Sequence, residues 1–389
     1  MRFSLHRYRK ISIAVWAVAL CFCLPLDAER RISRRTVDPA CVYIQIVDDE
    51  VPLSIHLFRV DLQNHGIDLE PVLALDSHQG LEPVLNMVKR RDKPFYDVLM
   101  AVNGDFWIKS APRGLAVLDG CMTRSPSRWS SIAFSQDRIP QIGIFKTRLY
   151  LTDGKGQEIP IGAVNRPRTY NNIVLFTDVH GNAAEERSGG RSVILDPGGK
   201  RLPAQGRVNV IVKKVFNTSE PSPIPEARWV VSAGRAVVKT LYPLQTGTRW
   251  TLVSEIEPDE FPIHDAISGG PRLLRNGEIS VEYEEEGQRS AFATEKHPRT
   301  AIGYSQDRKY LIAAVVDGRQ PGHSLGMDLY ELAALMHEFG CFDAINLDGG
   351  GSSTMIVEDR IVNRPSDLRG PRAVSLGFLV AREKQNPLH

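Results

Sequence analysis

Between Tyr310 and Thr354 the chain changes its hydrophobic period twice, and this restricts the fold more than any other stretch. "YLIAAVV" is an unbroken apolar run of strand length. "MDLYELAALMHEFG" then places Leu329, Leu332, Ala333 and Met336 at i, i+3, i+4 and i+7, on one face of a helix. Asp328 and Glu331 have the spacing of a capping box, and Gly340 supplies a left-handed stop. "DAINL" returns to a buried strand. Strand, helix, strand is a βαβ unit, so the two strands are predicted to run parallel. The second runs into Asp348, Gly349, Gly350, Gly351, Ser352 and Ser353. Consecutive glycines are costly to order, which suits a place where backbone turns sharply or another group comes close.

The remainder reads as strands. "PLSIHLFRVDL" alternates, "GLEPVLNMVKRRD" is a short helix, and "YDVLMAVNGDFW" is an apolar strand ending on Asn103 and Gly104. Asp119-Gly120 and Asn276-Gly277 mark hairpins. From about Gln141 to Trp250 the chain is a series of short strands. The predicted class is α+β: strand-rich mixed sheets with a C-terminal βαβ unit carrying the glycine-rich site.

The first residues read as a targeting segment. Arg2, Arg7, Arg9 and Lys10 precede the apolar stretch "ISIAVWAVALCFCLPL", and Leu26 and Ala28 stand before a cut. Cleavage there removes four basic residues and one acidic one, turning 48 against 46 into 44 against 45. The net charge of −1 gives no electrostatic footprint for nucleic acid. No later stretch could span a bilayer, so a secreted or periplasmic protein with no stable membrane span is expected. Cys41, Cys121 and Cys341 remain, too few for a disulfide scaffold.

Several strands end alike, in one polar side chain and then glycine: Asn103-Gly104, Ser268-Gly269, Asp317-Gly318 and Asp348-Gly349. In a βαβ unit Asp317 and Asp348 end on the same sheet edge, where α/β proteins bind ligands. Two carboxylates there could flank a reacting bond. Arg299, Arg319 and Arg372 could supply forked donors to an anionic oxygen, and the glycine amides an anion nest. Carboxylates, guanidinium groups and bare amides together suit a sugar joined to phosphate. No cofactor is required by this reading; a divalent metal near the two aspartates is left open, since no ligand spacing supports one.

"GHSLG" matches the nucleophile elbow of serine hydrolases at Ser324. Five residues separate it from the strand end, and only His337, inside the helix, and the terminal His389 follow it. His323 is a candidate acid or base, with a plain loop histidine as the alternative.

"AVNGDFW", "GLAVLDG", "SGGPRLLRNGE", "HPRTAIGYS", "VVDGR", "FDAINLDGGGSSTM", "IVNRPSD" and "PRAVSLGFLV" occur in one order from about Asp97 to Val380. Together they resemble the phosphodiester glycosidase family. The resemblance implies a hydrolase that releases a sugar, N-acetylglucosamine-like, from a sugar-1-phosphodiester. It implies Asp317 and Asp348 as catalytic residues. Asn103, Gly104, Arg299, Thr300, Arg319, Gly349, Gly350, Gly351, Ser352, Ser353, Asn363 and Arg372 are implied to bind substrate. Asp105 stands where the family often has glycine, adding a carboxylate at the expected rim. The implied layout is a signal peptide over 1–28, N-terminal strands and a short helix over 29–96 packed on the main domain, the family-like domain over 97–380, and a tail over 381–389. Exopolysaccharide or cell-envelope glycan is the expected setting. The alternatives are a non-catalytic glycan-binding protein of polysaccharide assembly, or a serine hydrolase using Ser324.

Overall fold

The computed structural model describes residues 30–92, 96–181, 189–218 and 222–383. The predicted signal segment, and the tail beyond Glu383, lie outside the described residues.

The helix forms where the periodicity puts it, Leu329–Glu338, with both reciprocal bonds of the Asp328/Glu331 capping box in place. Gly340 follows at φ +89°. Leu329, Leu332, Ala333 and Met336 are fully buried. The three large side chains contribute about 1.5–3 kcal/mol each by leaving water.

This helix covers one face of an eight-stranded sheet. The strand order is Arg31–Asp38, Cys41–Asp48, Leu53–Asp61, Tyr310–Val316, Arg299–Tyr304, Asp343–Asn346, Arg272–Arg275 and Glu278–Ile279. Tyr310–Val316 and Asp343–Asn346, the strands flanking the helix, do not pair with each other. Each pairs antiparallel with Arg299–Tyr304, which lies between them. They therefore point the same way, about 10 Å apart, which is two strand spacings. The N-terminal strands, expected to pack on the main domain, are hydrogen-bonded into its sheet through Leu53–Asp61 and Tyr310–Val316.

Period-two alternation divides the sheet's side chains between two cores. In Tyr310–Val316, residues Ile312, Ala314 and Val316 face the helix, while Leu311, Ala313 and Val315 face a second sheet. That second sheet has the order Arg360–Ile361, Met355–Val357, Tyr96–Asn103, Leu376–Glu383 and Ile67–Leu73. Val84, Met87 and Val88 of the short helix Val84–Arg91 cover its far face. The result is helix, sheet, sheet, helix.

The middle of the chain builds a further β layer. A five-stranded sheet turns Ile132, Phe134 and Ile267 to the sandwich core, and Val117, Ala133 and Ala266 to another core. This other core belongs to a second eight-stranded sheet, running from Lys146–Thr152 to Arg249–Glu257 and including Trp229–Gly234. Its pairings are antiparallel except Ala163–Val164 with Ile173–Phe176. Both predicted hairpin turns have two residues at positive φ: Asp119 and Gly120 at 51° and 67°, Asn276 and Gly277 at 53° and 84°. The stretch "WVVSAGRAVV" is a strand only as far as Gly234; a 3₁₀ helix follows over Arg235–Leu241.

Candidate active site

Asp317 follows Val316 and Asp348 follows Leu347, on one edge of the large sheet. Their surroundings differ. Asp317 is 1% exposed and sits at the centre of a hydrogen-bond network. Its Oδ1 accepts from Asn363 Nδ2 at 3.0 Å and from the Arg364 amide at 2.9 Å. Its Oδ2 lies 2.8 Å from His323 Nε2 and 3.7 Å from His56 Nε2. His56 is itself buried, with Tyr43 Oη 2.7 Å from Nδ1 and Ser54 Oγ 3.2 Å from Nε2. Burial raises the pKa of the Asp317 carboxyl, but the His56, His323 and Asn363 contacts outweigh it and leave the group below the ordinary carboxylate value. Asp317 is thus a buried anion that fixes its neighbours. His323, whose side chain is 33% exposed, is the member of this network that reaches the surface.

Asp348 is half-buried, and burial pushes its carboxyl up to about 6 against the lowering influence of Ser352, the Gly349 amide and Arg372. Gly349 N–H donates to its Oδ1 at 2.9 Å. Ser352 Oγ makes no well-formed hydrogen bond, although it lies close enough to act on the Asp348 charge. The backbone of Asp348 is clamped from both sides: Asn103 Nδ2 donates to its carbonyl at 2.6 Å, and its N–H donates to the Gly104 carbonyl at 3.1 Å. Asn103 Oδ1 in turn accepts from Thr300 Oγ1 and from the Thr354 amide, and Thr300 Oγ1 lies 3.3 Å from Ser353 Oγ. Asn103, Gly104, Thr300, Ser353 and Asn363 therefore come together, but as the framework of the two aspartates.

The glycines have a packing reason. A Cβ on Gly349 would stand 2.8 Å from the Pro298 carbonyl. One on Gly350, at φ +64°, would stand 3.0 Å from Arg319 Nη1. One on Gly351 would stand 2.1 Å from Asp367 Oδ1 and 2.3 Å from Arg372 Nη2. The bare loop lets two guanidinium groups lie on it. Most of the expected anion nest is already occupied: the amides of Gly350, Ser352 and Ser353 donate to the Pro298, Gly349 and Gly350 carbonyls, and that of Gly349 to the Asp348 carboxylate.

The arginines separate into three cases. Arg299 is 2% exposed, and its guanidinium donates to the carbonyls of Met327, Phe292 and Glu295 at 2.8–2.9 Å. It braces the loop before the sheet and has no free fork for a phosphate, contrary to expectation. Arg372 is paired with Asp367 through two bonds of 2.9 and 3.0 Å. Arg319 is exposed and has φ +59°, and among the described residues its guanidinium makes only 3.4 Å contacts to His297 Nδ1.

Two further expectations change. Asp105 is not at a rim: it is 1% exposed, accepts from the Gly114 amide through Oδ2, and leaves Oδ1 without a partner. Ser324 is fully buried, donates to the Asp317 carbonyl at 2.6 Å and accepts from the Ser54 amide. It is a brace for Asp317 and is not presented as a nucleophile. Sequence reasoning missed Tyr43, His56, His297 and Asp367. Tyr43 and His56 belong to strands some 250 residues earlier in the chain and carry no local motif. Among the described residues no group of three or more His, Cys, Asp or Glu side chains is placed to hold a metal ion.

This arrangement of Asp317, the Asp348 loop and Arg319 falls in a stretch that has a known counterpart. Residues 205–381 match the phosphodiester glycosidase family. The N-acetylglucosamine-1-phosphodiester alpha-N-acetylglucosaminidase of Bos taurus is 34% identical over 184 residues, 41% of this chain and 34% of that protein. The Homo sapiens protein of the same name is 34% identical over 149 residues, 34% of this chain and 28% of its own length. The chain thus spans about a third of the length of these curated relatives. A crystal structure of a hypothetical protein from Synechocystis shares the fold, with a TM-score of 0.75 at 19% identity, covering 91% of this chain and 64% of that one. The family match includes Asp317, Arg319, Asp348 and the glycine loop. Asn103, Gly104 and Asp105 lie before it.

Proposed function

We propose that the protein is a secreted or periplasmic hydrolase that cleaves the glycosidic bond of an N-acetylglucosamine-like sugar-1-phosphodiester, in exopolysaccharide or cell-envelope glycan metabolism. The observation that carries the reading is the Asp348 loop: a half-buried carboxyl with a raised pKa, overhung by Arg319 and Arg372, inside the family-matched stretch. The amino-terminal signal pattern supports export, and no helix among the described residues is long and apolar enough to cross a membrane.

In this reading Arg319 holds the phosphodiester oxygens. Ionised Asp348 accepts a proton from a water whose oxygen bonds to the anomeric carbon. The bond from that carbon to the phosphate oxygen breaks, and its electron pair leaves with the phosphomonoester. Phosphate is a good leaving group, so the developing charge can be met by guanidinium donors without a separate acid. Asp317 acts one step away, as a positioning residue that aims His323 at a sugar hydroxyl. Asn103, Thr300, Ser353 and Asn363 keep both aspartates in place.

The test is incubation of the protein from residue 29 onward with a panel of sugar-1-phosphodiesters, reading reducing sugar and phosphomonoester. Release of both, abolished by Asp348→Asn, supports the reading. Glycan binding with no turnover would return the protein to the class of binding proteins.

A further inference from the structure

A second guanidinium beside the Asp348 site remains unused. Asp105 immediately follows Gly104, whose carbonyl holds the Asp348 amide, and the Asp348 charge is felt at its carboxyl. Arg113 lies on the other side of Asp105, close enough for that carboxyl to act on its guanidinium. Among the described residues the Arg113 guanidinium has no hydrogen bond and no ion pair. It lies instead over an aromatic ring, its Cζ 3.7 Å from the centroid of Trp129. Trp129 is itself fixed: it is 7% exposed, and its indole N–H donates to the Glu286 carbonyl at 3.0 Å.

The ring belongs to a row. Trp129 meets Phe106 edge-on at 5.0 Å, Phe106 meets Phe292 at 6.0 Å, and Phe292 carries Arg299 at 5.2 Å. Arg113 thus stands at one end of an aromatic wall whose other end is the brace of the catalytic loop. Stacking an arginine on an indole holds its plane while leaving its in-plane N–H donors available, which suits two-point recognition of an anion.

Asp105, the carboxyl whose charge reaches Arg113, forms no ion pair with it among the described residues. Asp105 is buried, its Oδ2 is taken by the Gly114 amide, its Oδ1 is unpartnered, and burial raises the group to about 7. Arg166, also nearby, is committed to the carbonyls of Arg113, Ser125 and Pro126. A half-exposed, pre-stacked cation next to an unpartnered buried carboxyl oxygen is therefore left over on this wall.

We propose that Arg113, stacked on Trp129, forms an anion subsite beside the Asp348 site that binds a phosphoryl group on the aglycone side of the substrate. The subsite rests on the glycosidase reading for its role. Its existence is testable without turnover. It lies outside residues 205–381, the stretch that matches the family.

The experiment measures binding of inorganic phosphate and of N-acetylglucosamine to the protein from residue 29 onward by calorimetry and phosphorus NMR. Arg113→Met keeps the stem over Trp129 and removes the donors. Arg113→Lys keeps the charge and loses the fork. Phosphate affinity should fall about tenfold or more in Arg113→Met, the scale of a charged hydrogen bond, and less in Arg113→Lys. N-acetylglucosamine binding and the thermal midpoint should stay as in the parent protein. Unchanged phosphate affinity in a folded Arg113→Met or Arg113→Lys protein overturns the subsite, whatever the turnover. If Arg113→Met does not fold, Arg113→Lys alone decides. Arg113-dependent phosphate binding in a protein that hydrolyses no sugar phosphodiester would leave the subsite standing and remove the glycosidase reading.

Discussion

Replacing Asp317 with asparagine tests whether this aspartate is a structural anion or the reacting carboxylate. The wild-type side chain accepts from Asn363, from the Arg364 amide and from His323, with His56 close by. An asparagine oxygen can keep the Asn363 and Arg364 bonds, but its amide group then turns N–H donors toward His323 and His56. The charge-assisted bond to His323 disappears, and with it the attraction to His56 at 3.7 Å. A hydrogen bond to a charged group is worth about 1.5–3 kcal/mol, which sets the scale of the loss. The folded-state pKa of Asp317 is lowered, so its contribution is complete above the unfolded value near 4 and is lost as pH falls through the folded value. Urea unfolding of both proteins at pH 7 and pH 3 should show a large gap at pH 7 that narrows at pH 3. Turnover at pH 7 should fall through a misplaced His323, and Asp317→Glu should not restore it because the longer side chain shifts the carboxyl from the Asn363, Arg364 and His323 donors. A gap that is absent at pH 7, or equal at both pH values, would refute the placement of a buried charge at this point.

Asp348→Asn should lower turnover by about 10²-fold or more without loss of stability. Because the folded pKa of Asp348 is raised, ionising it costs stability as pH rises from about 4 through 6. The Asn variant should match the wild type in acid and equal or exceed it above pH 6 in thermal melts. Wild-type kcat/KM should rise with pH through about 6, since the ionised form is the active one. Arg319→Lys should weaken phosphodiester substrates by about tenfold while sparing neutral glycosides. Arg299→Lys should instead reduce stability and affect both substrate classes alike, as read by urea unfolding beside steady-state kinetics. The wild type should take no serine-directed label at Ser324, and Ser324→Ala should keep most turnover, because the hydroxyl is buried against the Asp317 carbonyl.

The parts of this molecule that are local in sequence were legible there. The capped helix, both positive-φ hairpin turns and the shared direction of the strands before Asp317 and Asp348 follow from spacing over a few residues. So does the crowding at the glycines, although the reason differs: they admit Arg319, Asp367 and Arg372, while the Gly349 and Gly350 amides are taken by the Asp348 carboxylate and the Pro298 carbonyl. What depends on distant pairing was not legible. Arg299 looks like any charged residue after a proline until the Met327 carbonyl, 28 residues on, joins those of Phe292 and Glu295 around its guanidinium. His56 becomes a partner of Asp317 only because Leu53–Asp61 pairs with Tyr310–Val316. The strand between the two flanking the helix precedes both in the chain, so a simple βαβ pattern could not place it. Asp105 reads as a rim acid because it follows glycine at a strand end, yet the hairpin carrying Gly114 closes over it.

The central claim is that the bond from the sugar's anomeric carbon to oxygen breaks at the Asp348 loop. Hydrolysis of an N-acetylglucosamine-1-phosphodiester in ¹⁸O-labelled water, with products read by mass spectrometry, tests it most directly. The label is predicted in the anomeric hydroxyl of the released sugar, with the phosphomonoester unlabelled. Label in the phosphate would mean attack at phosphorus, and would contradict a glycosidase built on Asp348.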